Sequence, residues 1–162
     1  MSIFRLEKRT LALLVLPLAV VFTIIQTPSN APASPKPTKP PCRIDIENAH
    51  ISKTVYRHQG VRVVIVKARS ICNVAQQRVL LTVIIYKTEL LQDHEVTKSE
   101  TNPLAPSSSG PIVSNTGTTR VCKTGELTRY YGIAFSKALI NGKWLYAGRT
   151  RSPLTIPLAC GT

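Results

Sequence analysis

Between Cys42 and Leu158 the apolar residues of this chain recur at every second position, and that period restricts the fold more than any other feature of the sequence. Ile44 and Ile46 alternate with Asp45 and Glu47, which predicts a short half-buried strand. Val61–Cys72 is longer and rich in β-branched residues. Val64, Val66, Ala68, Ser70 and Cys72 share one face, while the other turns basic at Lys67 and Arg69. Val79–Tyr86 is apolar on both faces, the pattern of a central strand. A further strand is expected over His94–Ser99.

Arg129–Ile140 and Lys143–Thr150 are strand-like runs joined by Asn141-Gly142, the preferred pair for a type I′ hairpin turn. Leu154, Ile156 and Leu158 mark a last strand, confined to a sheet edge because Pro157 has no N–H to give. Asn102–Thr119, rich in Pro, Ser, Gly and Asn, is expected to be a long flexible loop with at most a short strand at Ile112-Val113. These runs predict an all-β fold of about seven strands, an antiparallel two-sheet sandwich of immunoglobulin-like architecture, with a small β-barrel as the alternative.

Four cysteines, Cys42, Cys72, Cys122 and Cys160, are spread along this region without a Cys-x-x-Cys pair. That spacing argues against a zinc ribbon or a thioredoxin-type site and for two disulfides stapling the sheets. Cys42 shares its parity with Ile44 and Ile46, and Cys160 with Leu154, Ile156 and Leu158. If the two terminal strands lie side by side, the pairing is Cys42–Cys160 and Cys72–Cys122.

The N-terminal forty residues are of a different kind. Arg5, Lys8 and Arg9 precede an uncharged run from Leu11 to Ile25, and Ala31-Pro32-Ala33 follows. This reads as a secretory signal peptide over 1–33, then a Pro/Lys-rich spacer over 34–41, then a single β-domain over 42–162. The uncharged stretch falls short of the ~20 residues that a spanning helix needs. The expected destination is extracellular, the alternative being a membrane anchor formed by an uncleaved leader.

With 21 basic and 8 acidic residues the chain carries a formal charge of +13. Such a domain is drawn to polyanions by long-range attraction. The cationic residues expected to contact them are Lys67, Arg69, Arg129, Lys137, Lys143, Arg149 and Arg151. Trp144 and Tyr146 fall on the other parity and are read as core.

No residue is assigned a catalytic, cofactor-binding or metal-ligating role. His50, His58 and His94 sit in no motif, although two of them with a lysine would be the minimum for phosphodiester cleavage. Asp93-His94-Glu95 reads as a solvated turn, and Ser107–Ser109 lie outside any Gly-x-Ser-x-Gly context. The expected function is that of a secreted, basic, non-enzymatic domain that binds anionic cell-envelope polymer or an extracellular protein, nucleic acid entering only as a non-specific polyanion. The alternatives are a small cationic hydrolase of nuclease type and an inhibitor or toxin-like effector.

Overall fold

The computed structural model describes residues 41–105 and 109–162, so the expected signal peptide and nearly all of the spacer lie outside the described residues. Among the described residues nine strands and one short helix follow one another: β1 Cys42–Ile46, β2 His50–Ile51, α1 Lys53–Gln59, β3 Val63–Gln76, β4 Arg78–Thr88, β5 Asp93–Glu100, β6 Gly110–Val121, β7 Thr124–Ile140, β8 Lys143–Arg151 and β9 Ile156–Gly161.

Two long strands organise two antiparallel sheets. β3 carries β1 and β2 along one edge and β6 along the other. β7 pairs with β4, which pairs in turn with β5, and its opposite edge is shared by β8 and β9. No strand pairing joins the two sheets among the described residues. They pack as layers instead, β1 against β7 and β8, β3 against β4 and β7, and β6 against β4 and β5.

The alternating residues meet between the layers. Val64, Val66 and Ala68 of β3 pack with Val79, Leu81, Val83 and Ile85 of β4 and with Tyr130, Ala134 and Ala138 of β7. β4 is paired on both edges, as its double-faced hydrophobicity requires. β9, with Pro157, pairs with β7 alone.

Three expectations need correction. The segment 102–119 is not a loop throughout, because β6 runs from Gly110 to Val121 along the length of β3. Its inward residues are largely polar. Asn115 donates from Nδ2 to the Leu81 carbonyl at 3.1 Å and accepts the Ser99 hydroxyl at Oδ1 at 3.0 Å, so it ties one sheet to the other. Hydrogen bonds here replace the apolar residues that mark a strand in sequence.

The second correction is α1, which the sequence reading lacked. The Ser52 hydroxyl accepts the Val55 N–H at its start, and Gly60 ends it at φ 68°, two ordinary cap signals around a stretch with no buried face.

The third concerns the disulfides, which are Cys42–Cys72 and Cys122–Cys160. β1 pairs with β3 in one sheet and β9 with β7 in the other, so the terminal strands do not lie side by side, the condition on which a Cys42–Cys160 bond rested. Cys42 stands opposite Cys72, and the Asn73 N–H bonds the Pro41 carbonyl beside them. This is a non-hydrogen-bonded antiparallel pair, where facing side chains come closest. Cys122 lies where the chain passes from β6 in one sheet to β7 in the other, and its bond to β9 fixes that crossing. Two disulfides accord with an extracellular protein. No helix among the described residues is long and apolar enough to cross a membrane.

Candidate functional site

The β7–β8 hairpin decides which side chains leave the core. Asn141 and Gly142 both have positive φ, 48° and 73°, so the two-residue turn is of the I′ kind. It sets Ile140 opposite Lys143, Leu139 opposite Trp144 and Lys137 opposite Tyr146. Residues directly opposite share a face, so Trp144 and Tyr146 stand with Tyr131, Ile133, Phe135 and Lys137. Tyr130, Ala134, Ala138 and Ile140 face the core.

Trp144 and Tyr146 are therefore not core residues: Trp144 is 43% and Tyr146 77% exposed. Odd positions do not match odd positions across this hairpin. A two-residue turn pairs odd with even.

A bulge then restores the other parity. Ser136 faces Ala147, but Ala134 faces Thr150 and Ile133 faces Arg151, leaving Gly148 and Arg149 against Phe135. The extra residue turns Arg151 onto the aromatic face.

The outer face of the five-stranded sheet thus gathers Tyr86, Tyr131, Phe135, Trp144 and Tyr146. Among the described residues only two other aromatics exist, Tyr56 on α1 and Tyr130 in the core. Tyr86 and Tyr131 stack with ring centroids 5.3 Å apart and 10° between planes. The Arg151 guanidinium lies 3.8 Å from the centre of the Tyr131 ring, and the Lys137 ammonium 5.3 Å from that of Trp144. Tyr131 donates to Asp93 Oδ2 at 2.8 Å. Burial, with this bond to a carboxylate, pushes its phenol up to about 12.

Beside the rings, Lys98 pairs with Glu100 at 2.9 Å. The hydrogen bond from Lys98 holds the Glu100 carboxyl below the usual range. Glu100, Thr82, Leu80, Phe135, Lys137 and Tyr146 line a cleft of about 280 Å³. Flat rings, resting cations and a tethered carboxylate make a surface for stacking and charge-assisted hydrogen bonding.

The seven cationic candidates do not form one patch. Lys137 and Arg151 lie among the aromatics. Lys67 and Arg69 point from the outer face of the other sheet, Arg69 paired with Asp45 of β1. Arg129 borders the β4–β5 turn, Lys143 follows the hairpin turn, and Arg149 sits in the bulge. The odd parity shared by Arg129, Lys137, Lys143, Arg149 and Arg151 does not survive the two-residue turn and the bulge, and Lys67 and Arg69 belong to the other sheet.

The histidines are also dispersed. His50 is on β2 with its Nδ1 3.0 Å from the Asn48 carbonyl, His58 is on α1, and His94 is on β5, 3.1 Å from Glu89. Among the described residues no group of three or more His, Cys, Asp or Glu side chains is placed to hold a metal ion. Comparison of the chain with protein families, with curated proteins and with solved structures gives no match.

Proposed function

We propose that this chain is an exported, non-enzymatic binding domain that takes anionic cell-surface polymer on the outer face of its five-stranded sheet. The observation that carries this reading is the outward placement of five aromatic rings with Lys137 and Arg151 lying against two of them. Phe135, Trp144 and Tyr146 are exposed, while Tyr131 is nearly covered. Aromatics are normally spent on a core, and three exposed together mark a contact surface. The leader-like N-terminus and the charge of +13 support export and an acidic ligand. The facing antiparallel sheets support the immunoglobulin-like comparison, although both disulfides here differ from the core bond of antibody domains.

The test is binding of the oxidised protein to isolated cell envelopes and to an acidic polysaccharide across a salt titration. The reading requires binding that falls with salt and that is lost on Trp144→Ala with Tyr146→Ala. Equal binding by that variant would reduce the interaction to charge alone, and envelope binding unaffected by salt would favour a protein receptor.

A further inference from the structure

At one end of the sandwich β4 turns into β5 through Leu90 and Leu91, and both side chains are wholly exposed. The Glu89 N–H bonds the Gln92 carbonyl at 3.3 Å and closes the turn behind them. Nothing in the turn asks for leucine. Gly, Asn, Asp and Ser are the residues such a turn favours, each for a backbone reason, and two fully solvated leucines give up burial that the core would have supplied.

The charge around the tip is arranged to match. Glu89, the acid at its base, is held by Lys87 at 2.8 Å and His94 at 3.1 Å. Arg129 lines the same hollow as the two leucines. Leu127, also exposed, lies beside it on β7 and shares a neighbouring hollow with Lys87. Arg120 and Lys123 stand at the same end of the domain, with Glu95 and Glu126 as the opposing acids.

From this juxtaposition we infer that the β4–β5 tip is a membrane-docking element: Leu90 and Leu91 enter the headgroup boundary of an anionic bilayer while Arg129, Lys87 and Lys123 contact lipid phosphates. A protruding pair of leucines bordered by basic side chains suits shallow insertion into an anionic surface, the apolar tip and the charge acting together. Each basic residue near an anionic surface adds attraction, and the apolar tip adds depth. This surface adjoins the aromatic face, Arg129 standing two positions from Tyr131 on β7, but quenching by brominated acyl chains reads insertion of the leucine tip alone, whatever the aromatic face binds.

The experiment uses the oxidised full chain with Trp144→Phe, which removes the single tryptophan, and Leu90→Trp as the reporter. Vesicles of phosphatidylcholine alone, or with phosphatidylglycerol, are added with or without bromine on the acyl chains. The expected result is a blue-shifted emission quenched by the brominated chains, with partitioning on the order of tenfold weaker in the uncharged vesicles. Arg129→Glu should weaken it further. Leu154→Trp is the control. Its residue is exposed in the β8–β9 connection, where its N–H bonds Asn48 at 2.9 Å.

Unshifted emission with anionic vesicles overturns the inference. So does equal quenching at position 154, which would mean non-specific adsorption. A shift produced by lipid-free envelope protein and not by vesicles would overturn it in favour of a protein partner.

Discussion

Gly132 of β7 faces Val66 of β3 so closely that a Cβ on Gly132 would stand 2.5 Å from Val66 Cγ1 and 3.1 Å from Ile46 Cδ1. The two sheets meet here across a single missing methyl group. Gly132→Ala is expected to cost about 1–3 kcal/mol through overpacking. Gly125→Ala, on the same strand with nothing within 4 Å, should leave stability near that of the parent. Urea unfolding of both variants measures the contrast, and equal midpoints would contradict the close approach.

The disulfide pairing predicts a peptide map in which Cys42 travels with Cys72 and Cys122 with Cys160. The bonds close separations of 30 and 38 residues. On the chain-entropy account each contributes roughly 3.5–4 kcal/mol, less any native strain. Replacing either pair by alanine should lower stability by roughly 2–4 kcal/mol. Any peptide linking Cys42 to Cys160 would refute this pairing.

Gln76 is buried where β3 ends, and it spends its whole amide on neighbours. Its Nε2 lies 3.2 Å from both the Gly110 and Pro111 carbonyls and 3.3 Å from that of Ser70, while its Oε1 accepts the Ser70 hydroxyl at 2.9 Å. Gln76→Leu keeps the volume but leaves buried acceptors without a donor, at a cost of about 1–3 kcal/mol for each one that water cannot reach. Hydrogen exchange should show the start of β6 opening first. Unaltered protection from Gly110 to Val113 would count against this role.

Trp144 and Tyr146 should affect binding and not folding. Both are exposed, so alanine at either position is expected to change stability by less than about 0.5 kcal/mol. Retention on an acidic polysaccharide should fall for each and be lost for the pair. Thermal melts run beside the retention assay separate loss of the surface from loss of the fold.

The raised phenol of Tyr131 makes an alkaline prediction. Its value of about 12 in the fold lies above the ordinary 10.0, so its neutral form is the one the structure favours. The stability it contributes is complete below pH 10 and disappears as the pH rises through about 12. Ultraviolet titration should contain a late phase belonging to Tyr131, and Asp93→Asn should bring it earlier by removing the bond to a carboxylate. An unshifted late phase in that variant would contradict the Tyr131–Asp93 bond.

Much of the fold was legible because strands with one apolar face announce themselves. The strand expected over Val61–Cys72 is found as β3, starting at Val63 and running on to Gln76, and Val79–Tyr86 and the Asn141-Gly142 turn are found where the period of two and the turn chemistry put them. β6 was not legible, since Asn115 and Thr118 are stabilised inside by partners on other strands, and a window of local sequence contains none of those partners. The cap residues Ser52 and Gly60 could have marked α1, but a helix without an apolar stripe leaves no periodic trace.

The candidate site divides in the same way. That Trp144 and Tyr146 share a face with Lys137 follows from counting across a two-residue turn, and the sequence contains that count. That Arg151 joins them depends on a bulge opposite Phe135, and that Tyr86 lies beside Tyr131 depends on the pairing of β4 with β7.

By itself, then, the sequence determined the strand periods, the hairpin turn and the inward aim of Cys42, Cys72 and Cys160. These are local, governed by neighbours one or two positions away. Only the tertiary structure decided which cysteines meet, which cations stand among the aromatics and which face of each sheet is covered. Those outcomes turn on strand order and register, and these are set by the joint packing of two sheets around Gly132 and Val66, a contact between residues far apart in the chain.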